Sequence, residues 1–137
     1  MLTFLNLPVV DLERSKAFYA ALGWHIVPNF TDENAACIVI DEHSYLMLLR
    51  HEFYATFIGD KSIGDARTTS VALYAFTLDS REDVDAFLAR VEAAGGKLGS
   101  IKDYGFMYQG QFDDPDGHHF EPFWMDPAAA ESGPPKD

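Results

Sequence analysis

The 137 residues suffice for one domain, or for two small halves sharing a core, and 47% hydrophobic with 14% aromatic residues is ample for a packed interior. A formal net charge of −12 argues against nucleic acid and anionic membrane surfaces as partners, whose phosphates would repel it. No run reaches the ~18 apolar residues of a membrane helix, no basic region precedes Asp11 and Glu13, and the single Cys37 excludes an internal disulfide framework. A cytoplasmic protein without a secretory signal is expected, with Cys37 as a buried thiol inside the apolar run Ala35 to Ile40.

Leu2 to Val10 reads as a strand, and Asp11 is a good N-cap for the helix that follows. Leu12, Ser15, Phe18, Tyr19 and Leu22 fall on one side of that helix, and Gly23 stands where a left-handed C′ residue is expected. Trp24 to Val27, Ala35 to Ile40 and Tyr45 to Leu49 read as three strands, and His51 to Asp60 as a short helical turn. Lys61 to Thr69 is a polar linker. The pattern then restarts: Val71 to Leu78 as a strand, Ser80 as cap for a helix from Arg81 to Ala94, and Gly95-Gly96 as its stop. Lys97 to Lys102, Phe106 to Phe112 and His118 to Trp124 follow as three strands, and Pro127 to Asp137 reads as a frayed tail. A shift of 69 residues carries Asp11 onto Ser80, Ala17-Phe18 onto Ala86-Phe87 and Leu22 onto Val91, so the order strand, helix, three strands reads as an internal duplication.

The stretch Asp114-Pro115-Asp116-Gly117-His118-His119-Phe120-Glu121-Pro122-Phe123-Trp124 is a tight turn feeding a strand that carries one acid among aromatics. A carboxylate on a strand built for a core needs a partner. Glu121 has several readings: a metal ligand, a general base whose pKa rises in an apolar pocket, an acid that binds a basic or hydroxylated ligand, or half of an ion pair with Arg50 or another cation. Alternation places His119, Glu121 and Phe123 on one face. In Tyr104 to Phe112 it groups Tyr104, Phe106, Tyr108 and Phe112, against Met107, Gln109 and Gln111. Of His118 and His119, one is read as solvent-facing and one as hydrogen-bonded, while His25, His43 and His51 read as surface residues near strand ends.

The element order, with Asp11-Leu12-Glu13-Arg14-Ser15 running on to Phe18-Tyr19 and Asp114-Pro115-Asp116-Gly117 running on to Glu121, resembles the vicinal oxygen chelate superfamily, which includes glyoxalase I, bleomycin-resistance proteins, fosfomycin-resistance enzymes and extradiol dioxygenases. The resemblance covers residues 1 to 126. It implies an α+β fold of paired βαβββ modules (module one about 1–57, linker 58–69, module two about 70–126, then a flexible tail 127–137) whose curved sheets form a cup. It also implies a homodimer, with the cup formed within one chain or across two. Metal-dependent members place one ligand on the first and last strand of each module. Carried over by position, these slots fall on Phe4, Met47, Leu73 and Glu121, of which only Glu121 suits a divalent ion.

The function expected is therefore binding of a small, largely apolar organic molecule without the standard metal, as in the bleomycin-resistance branch. Phe4, Met47, Leu73 and Phe123 would give apolar contact, Asn6, His119 and Glu121 would orient the ligand, and Tyr108 or Gln109 would touch it from the neighbouring strand. One alternative is a metal-dependent glyoxalase-type lyase or isomerase, or a dioxygenase, with zinc, nickel, manganese or iron held by Glu121 and His119, and by Asn6 if needed. Another is a metal-free enzyme with Glu121 as base and Tyr108 as acid.

Overall fold

A computed structural model describes residues 1–136. The first module runs β1 (Thr3–Val9), α1 (Leu12–Ala21), β2 (His25–Ile26), β3 (Ala35–Val39), β4 (Ser44–Arg50) and α2 (His51–Ala55). Its sheet has the order β1-β4-β3-β2, with β1 parallel to β4 and the other pairs antiparallel.

The second module runs β5 (Leu73–Thr77), α3 (Arg81–Ala93), β6 (Lys97–Leu98), β7 (Lys102–Asp103), β8 (Met107–Gln109), β9 (Phe112–Asp113) and β10 (His119–Met125). Two of the three strands expected after α3 are interrupted. The edge strand is split into β6 and β7 by an extra residue: Leu98 pairs with Phe112 and Lys102 with Gln109, four steps on one strand against three on the other. β8 and β9 are one line, since Gly110 N donates to Pro122 O and both pair with β10 in one register. With these joined, the second sheet repeats the first, and β5 is parallel to β10 as β1 is to β4. The architecture is the expected α+β one.

The caps explain where the helices begin. Asp11 accepts from Arg14 N at 3.0 Å and Ser80 from Asp83 N at 3.0 Å. Gly23 and Gly95, at φ of 95° and 93°, end the same two helices. One face of each sheet packs onto α1 and α3 in a common core. Ring contacts cross between modules there: Tyr19 with Phe120 at 6.0 Å and Trp24 with Phe76 at 5.6 Å. Cys37 is buried, as expected.

The C-terminal stretch departs from expectation. Pro127–Ser132 forms helix α4, begun by Asp126, which accepts from Ala128 N at 2.9 Å, and docked through buried Ala129. Asp followed by Pro is a helix start as well as a breaker, and here the start prevails. The last tail residue, Asp137, lies outside the described residues. Among the described residues, no helix is long and apolar enough to cross a membrane.

Candidate functional site

The sheet faces turned away from the common core carry the expected site residues. Parallel pairing sets Phe4 beside Tyr45 and Asn6 beside Met47 in the first module, and Leu73 beside His119 and Ala75 beside Glu121 in the second. Phe4 therefore corresponds to Leu73, and a shift of 74 residues carries Tyr45 onto His119 and Met47 onto Glu121. The shift is 69 on the first strands, so the second module gained its extra residues between helix and last strand. Met47 occupies the register position that Glu121 holds in its own module.

Glu121 is half-buried and accepts from two side-chain amides, Gln109 Nε2 and Gln111 Nε2, both on Oε2, the latter at 3.4 Å. Both glutamines stand opposite β10, which puts them on the Glu121 face. Gly99 backs them from the next strand: a Cβ there would lie 2.7 Å from Gln111 Oε1, so the bare backbone makes room for that amide. His119 Nδ1 pairs with Asp113 Oδ1 at 2.9 Å on the same face. Phe123 lies beyond Glu121, opposite Gln109.

Three expectations need correction. The ion pair with Arg50 is not formed: Arg50 Nη2 donates to Asn34 Oδ1 at 3.1 Å within the first module. Tyr108 is not beside Glu121. It pairs with Trp124 on the opposite face of the sheet, donates to Asp85 Oδ1 of α3 at 2.6 Å, and lies under the Arg81 guanidinium at 5.1 Å. That hydroxyl bond to Asp85, with some burial, raises its pKa, which makes it a poorer acid. Neither histidine of the pair faces solvent alone: His118 is buried and its Nε2 donates to Pro8 O at 2.7 Å, a carbonyl leaving no other role for that nitrogen.

The residues do not fit the divalent centre that the resemblance implies. Of Phe4, Met47, Leu73 and Glu121, one side chain offers a hard donor atom, and amide N–H groups already point at its oxygen. His119 is held by Asp113, and Asn6 Nδ2 donates to Phe4 O at 3.4 Å in the other module. Among the described residues, no group of three His, Cys, Asp or Glu could hold an ion.

The two halves of the predicted site lie one on each module. No hydrogen bond or ring contact among the described residues joins Phe4, Asn6 and Met47 to Leu73, His119, Glu121 and Phe123. Both halves are open to solvent, with Phe4 49% and Leu73 65% exposed, and β1 and β5 are both edge strands. A cavity of about 400 Å³ opens at the seam between these edges, lined by Leu5, Thr68, Ser70, Leu73, His119 and Phe120 among others, and Glu121 does not line it.

The turn before β10 holds a network that sequence reasoning passed over. Asp116 Oδ1 accepts from Val10 N at 2.9 Å and its Oδ2 from Ser15 Oγ at 3.3 Å. Tyr19 donates its hydroxyl to Asp114 Oδ2 at 2.6 Å, and Asp114 Oδ1 accepts from Asp116 N and His118 N. Burial pushes the Asp114 carboxyl up, against the pull of His118 and Tyr19, and the same burial raises the Tyr19 phenol. The Asp-Pro-Asp-Gly motif thus fastens module two to the strand and helix of module one. Its conspicuous acids serve packing rather than the cup.

The fold is the glyoxalase/bleomycin-resistance/dioxygenase fold that the resemblance implied, and the match in sequence to a family model lies in the N-terminal part of the chain. Residues 1–41 match the family described as bleomycin resistance protein-like N-terminal. A hypothetical protein from S. aureus is similar at 27% identity and a TM-score of 0.75, over 90% of this chain and 92% of its own. A glyoxalase-related enzyme from Fulvimarina pelagi shares the fold at 24% identity and 0.76, over 90% and 87%. The fosfomycin resistance protein FosX from Mesorhizobium loti shares it at 18% identity and 0.69, over 96% and 97%. No curated protein matches the sequence.

Proposed function

We propose that the protein binds a small, largely apolar organic molecule in a cup, without the standard metal. The observation that carries this reading is the state of the four ligand positions: three are Phe4, Met47 and Leu73, and the fourth, Glu121, is engaged by two amide donors. Apolar walls with a few fixed polar groups are how small-molecule sites are built. The cup is completed across a homodimer, the Phe4, Asn6 and Met47 face of one copy closing over the Leu73, His119, Glu121 and Phe123 face of the other. Half-cups this exposed and apolar are more stable covered. A reducing, cytoplasmic setting suits the free Cys37. An enzyme using Glu121 as base would need an acid other than Tyr108.

The test is metal content by plasma mass spectrometry, on protein purified without chelator and offered zinc, nickel, manganese and iron(II), in parallel with Glu121→Ala, together with the molar mass in solution. A dimer that retains no metal supports the reading. Near-stoichiometric metal in the parent, lost in Glu121→Ala, overturns it in favour of a glyoxalase-type or dioxygenase site. A monomer overturns the shared cup.

A further inference from the structure

We propose that the molecule bound in the cup is an organic cation, an ammonium group on a flat apolar body, with its charge placed against Glu121. This rests on the cup reading above and names its ligand class.

The charges on the second module's open face support it. Both amides that reach Glu121 act on Oε2, and Oε1 has no hydrogen-bond partner among the described residues. Its partners are neutral, so the carboxylate's charge is unmatched. The chain has ten lysines and arginines. Register places two of them, Lys97 and Lys102, on this face, but they are exposed on the outermost strand, across from Asp113 and Gln109, and neither forms an ion pair with Glu121. Arg14, Arg67 and Arg81 are paired with Asp116, Asp65 and Asp103, and Arg81 and Arg90 belong to α3 on the other side of the sheet. A half-buried carboxylate that keeps an acceptor atom free and lacks a cation favours a ligand that brings one.

The first module's open face supplies the complement. Phe4 and Tyr45 stack with centroids 4.7 Å apart and planes 11° from parallel, next to Asn6 and Met47. This is a flat aromatic surface with a soft neighbour and no charged side chain among those four residues, suited to an aromatic or aliphatic body and to a cation passing over the rings. An anionic ligand would meet Glu121 and a chain of net charge −12, and would gain no paired cation in return.

Three probes with one naphthalene body separate charge from shape: 2-naphthylmethylamine, 2-naphthalenemethanol and 2-naphthoate, titrated by fluorescence at neutral pH into the parent, Glu121→Gln and Glu92→Gln. Glu92 is exposed on α3, so its variant makes the same charge change away from the cup. The amine should bind the parent about tenfold more tightly than the alcohol, the usual worth of one charge-assisted hydrogen bond, and the carboxylate most weakly. Glu121→Gln should erase the preference for amine by weakening amine binding more than alcohol binding, and Glu92→Gln should keep it. Equal binding of all three probes, or an amine preference that survives Glu121→Gln or is lost in Glu92→Gln, overturns the cation while leaving the cup. Tightest binding of the carboxylate does so too. Absence of binding by every probe overturns the cup reading itself.

Discussion

The two modules enter their last strands through turns at equivalent positions that have opposite surroundings. Asp41-Glu42-His43-Ser44 leads into β4 on the surface. Asp41 Oδ1 accepts from His43 N at 2.8 Å, a bond local to the turn, and His43 stays exposed against Glu42. Asp114-Pro115-Asp116-Gly117-His118 leads into β10 with Asp114, Asp116 and His118 all buried, and its bonds reach Val10, Ser15, Tyr19 and Pro8. A duplicated turn thus closes a hairpin in one copy and joins the modules in the other. Polar groups at the seam cost stability unless every one is satisfied, and here each buried side-chain polar atom among the described residues has a partner.

The sharpest test of that contrast is to delete the aspartate of each turn. Asp116→Ala strands the buried Ser15 hydroxyl and removes the partner of the part-buried Val10 amide, and should cost about 1–3 kcal/mol in urea unfolding. Asp41→Ala removes an exposed turn bond and should stay within measurement error. Similar losses for the two variants would mean the seam network is no more important than any surface turn.

Glycine sharpens the same contrast with a smaller effect. Gly117 has φ 91°, and a Cβ there would lie 2.7 Å from Arg67 N and 2.8 Å from Arg67 Cα, backbone atoms that cannot swing away. Gly23 has φ 95° with nothing within 4 Å. Gly23→Ala should cost only the left-handed backbone term of about 1 kcal/mol, and Gly117→Ala about 2–3 kcal/mol because overlap is added. Equal losses would show that the linker yields to the turn.

The buried carboxylate also makes a prediction in pH. Burial raises the Asp114 pKa in the folded protein, so the folded state binds this proton more readily than the unfolded chain. The stability linked to it is greatest at low pH and falls as pH rises from the ordinary carboxylate range through the raised value. Stability of the parent relative to Asp114→Asn should therefore decline as pH rises above the ordinary carboxylate range. Asp41, Asp65 and Asp103, whose pKa values are lowered by local hydrogen bonds, act oppositely but equally in both proteins and cancel. A difference that rises with pH, or is flat, would contradict the burial argument.

What the sequence revealed follows the range of the forces involved. Asp11 and Ser80 signalled their helices because a cap acts over three residues, and the duplicated order of elements followed from local periodicity. Tyr108 was grouped correctly with Phe112 by alternation. Its assignment to the cup came from the family's use of that strand, and its own face prevailed. Arg50 could be matched to Glu121 only by guesswork, since the pairing spans two modules. The Val10–Asp116 bond, 106 residues apart, has no local trace, so the acids of the turn read as punctuation. In the tail, Asp126-Pro127 had a start signal that proline content obscured.

The least disruptive variant tests the cup alone. Gln109 and Gln111 alternate on one strand, but only the pairing of that strand with β10 shows that both reach one oxygen of Glu121. Gly99 is exposed and its backbone is unstrained, so the cost of Gly99→Ala is the overlap alone, about 1 kcal/mol in unfolding, the low end for overpacking. The added methyl lies 2.7 Å from Gln111 Oε1 and 2.9 Å from its Cβ, so the amide must swing aside and the strand edge at Gln111 must give slightly. Glu121 then keeps Gln109 but loses its second donor and its fixed orientation. The expected signature is weaker binding of 2-naphthylmethylamine, by severalfold, with only that small loss of stability and unchanged binding of the alcohol. A larger loss of stability with amine binding unchanged would make Gly99 and Gln111 packing residues of the edge strand, and unchanged amine binding at the small cost would leave Gln109 alone as the group that orients the carboxylate.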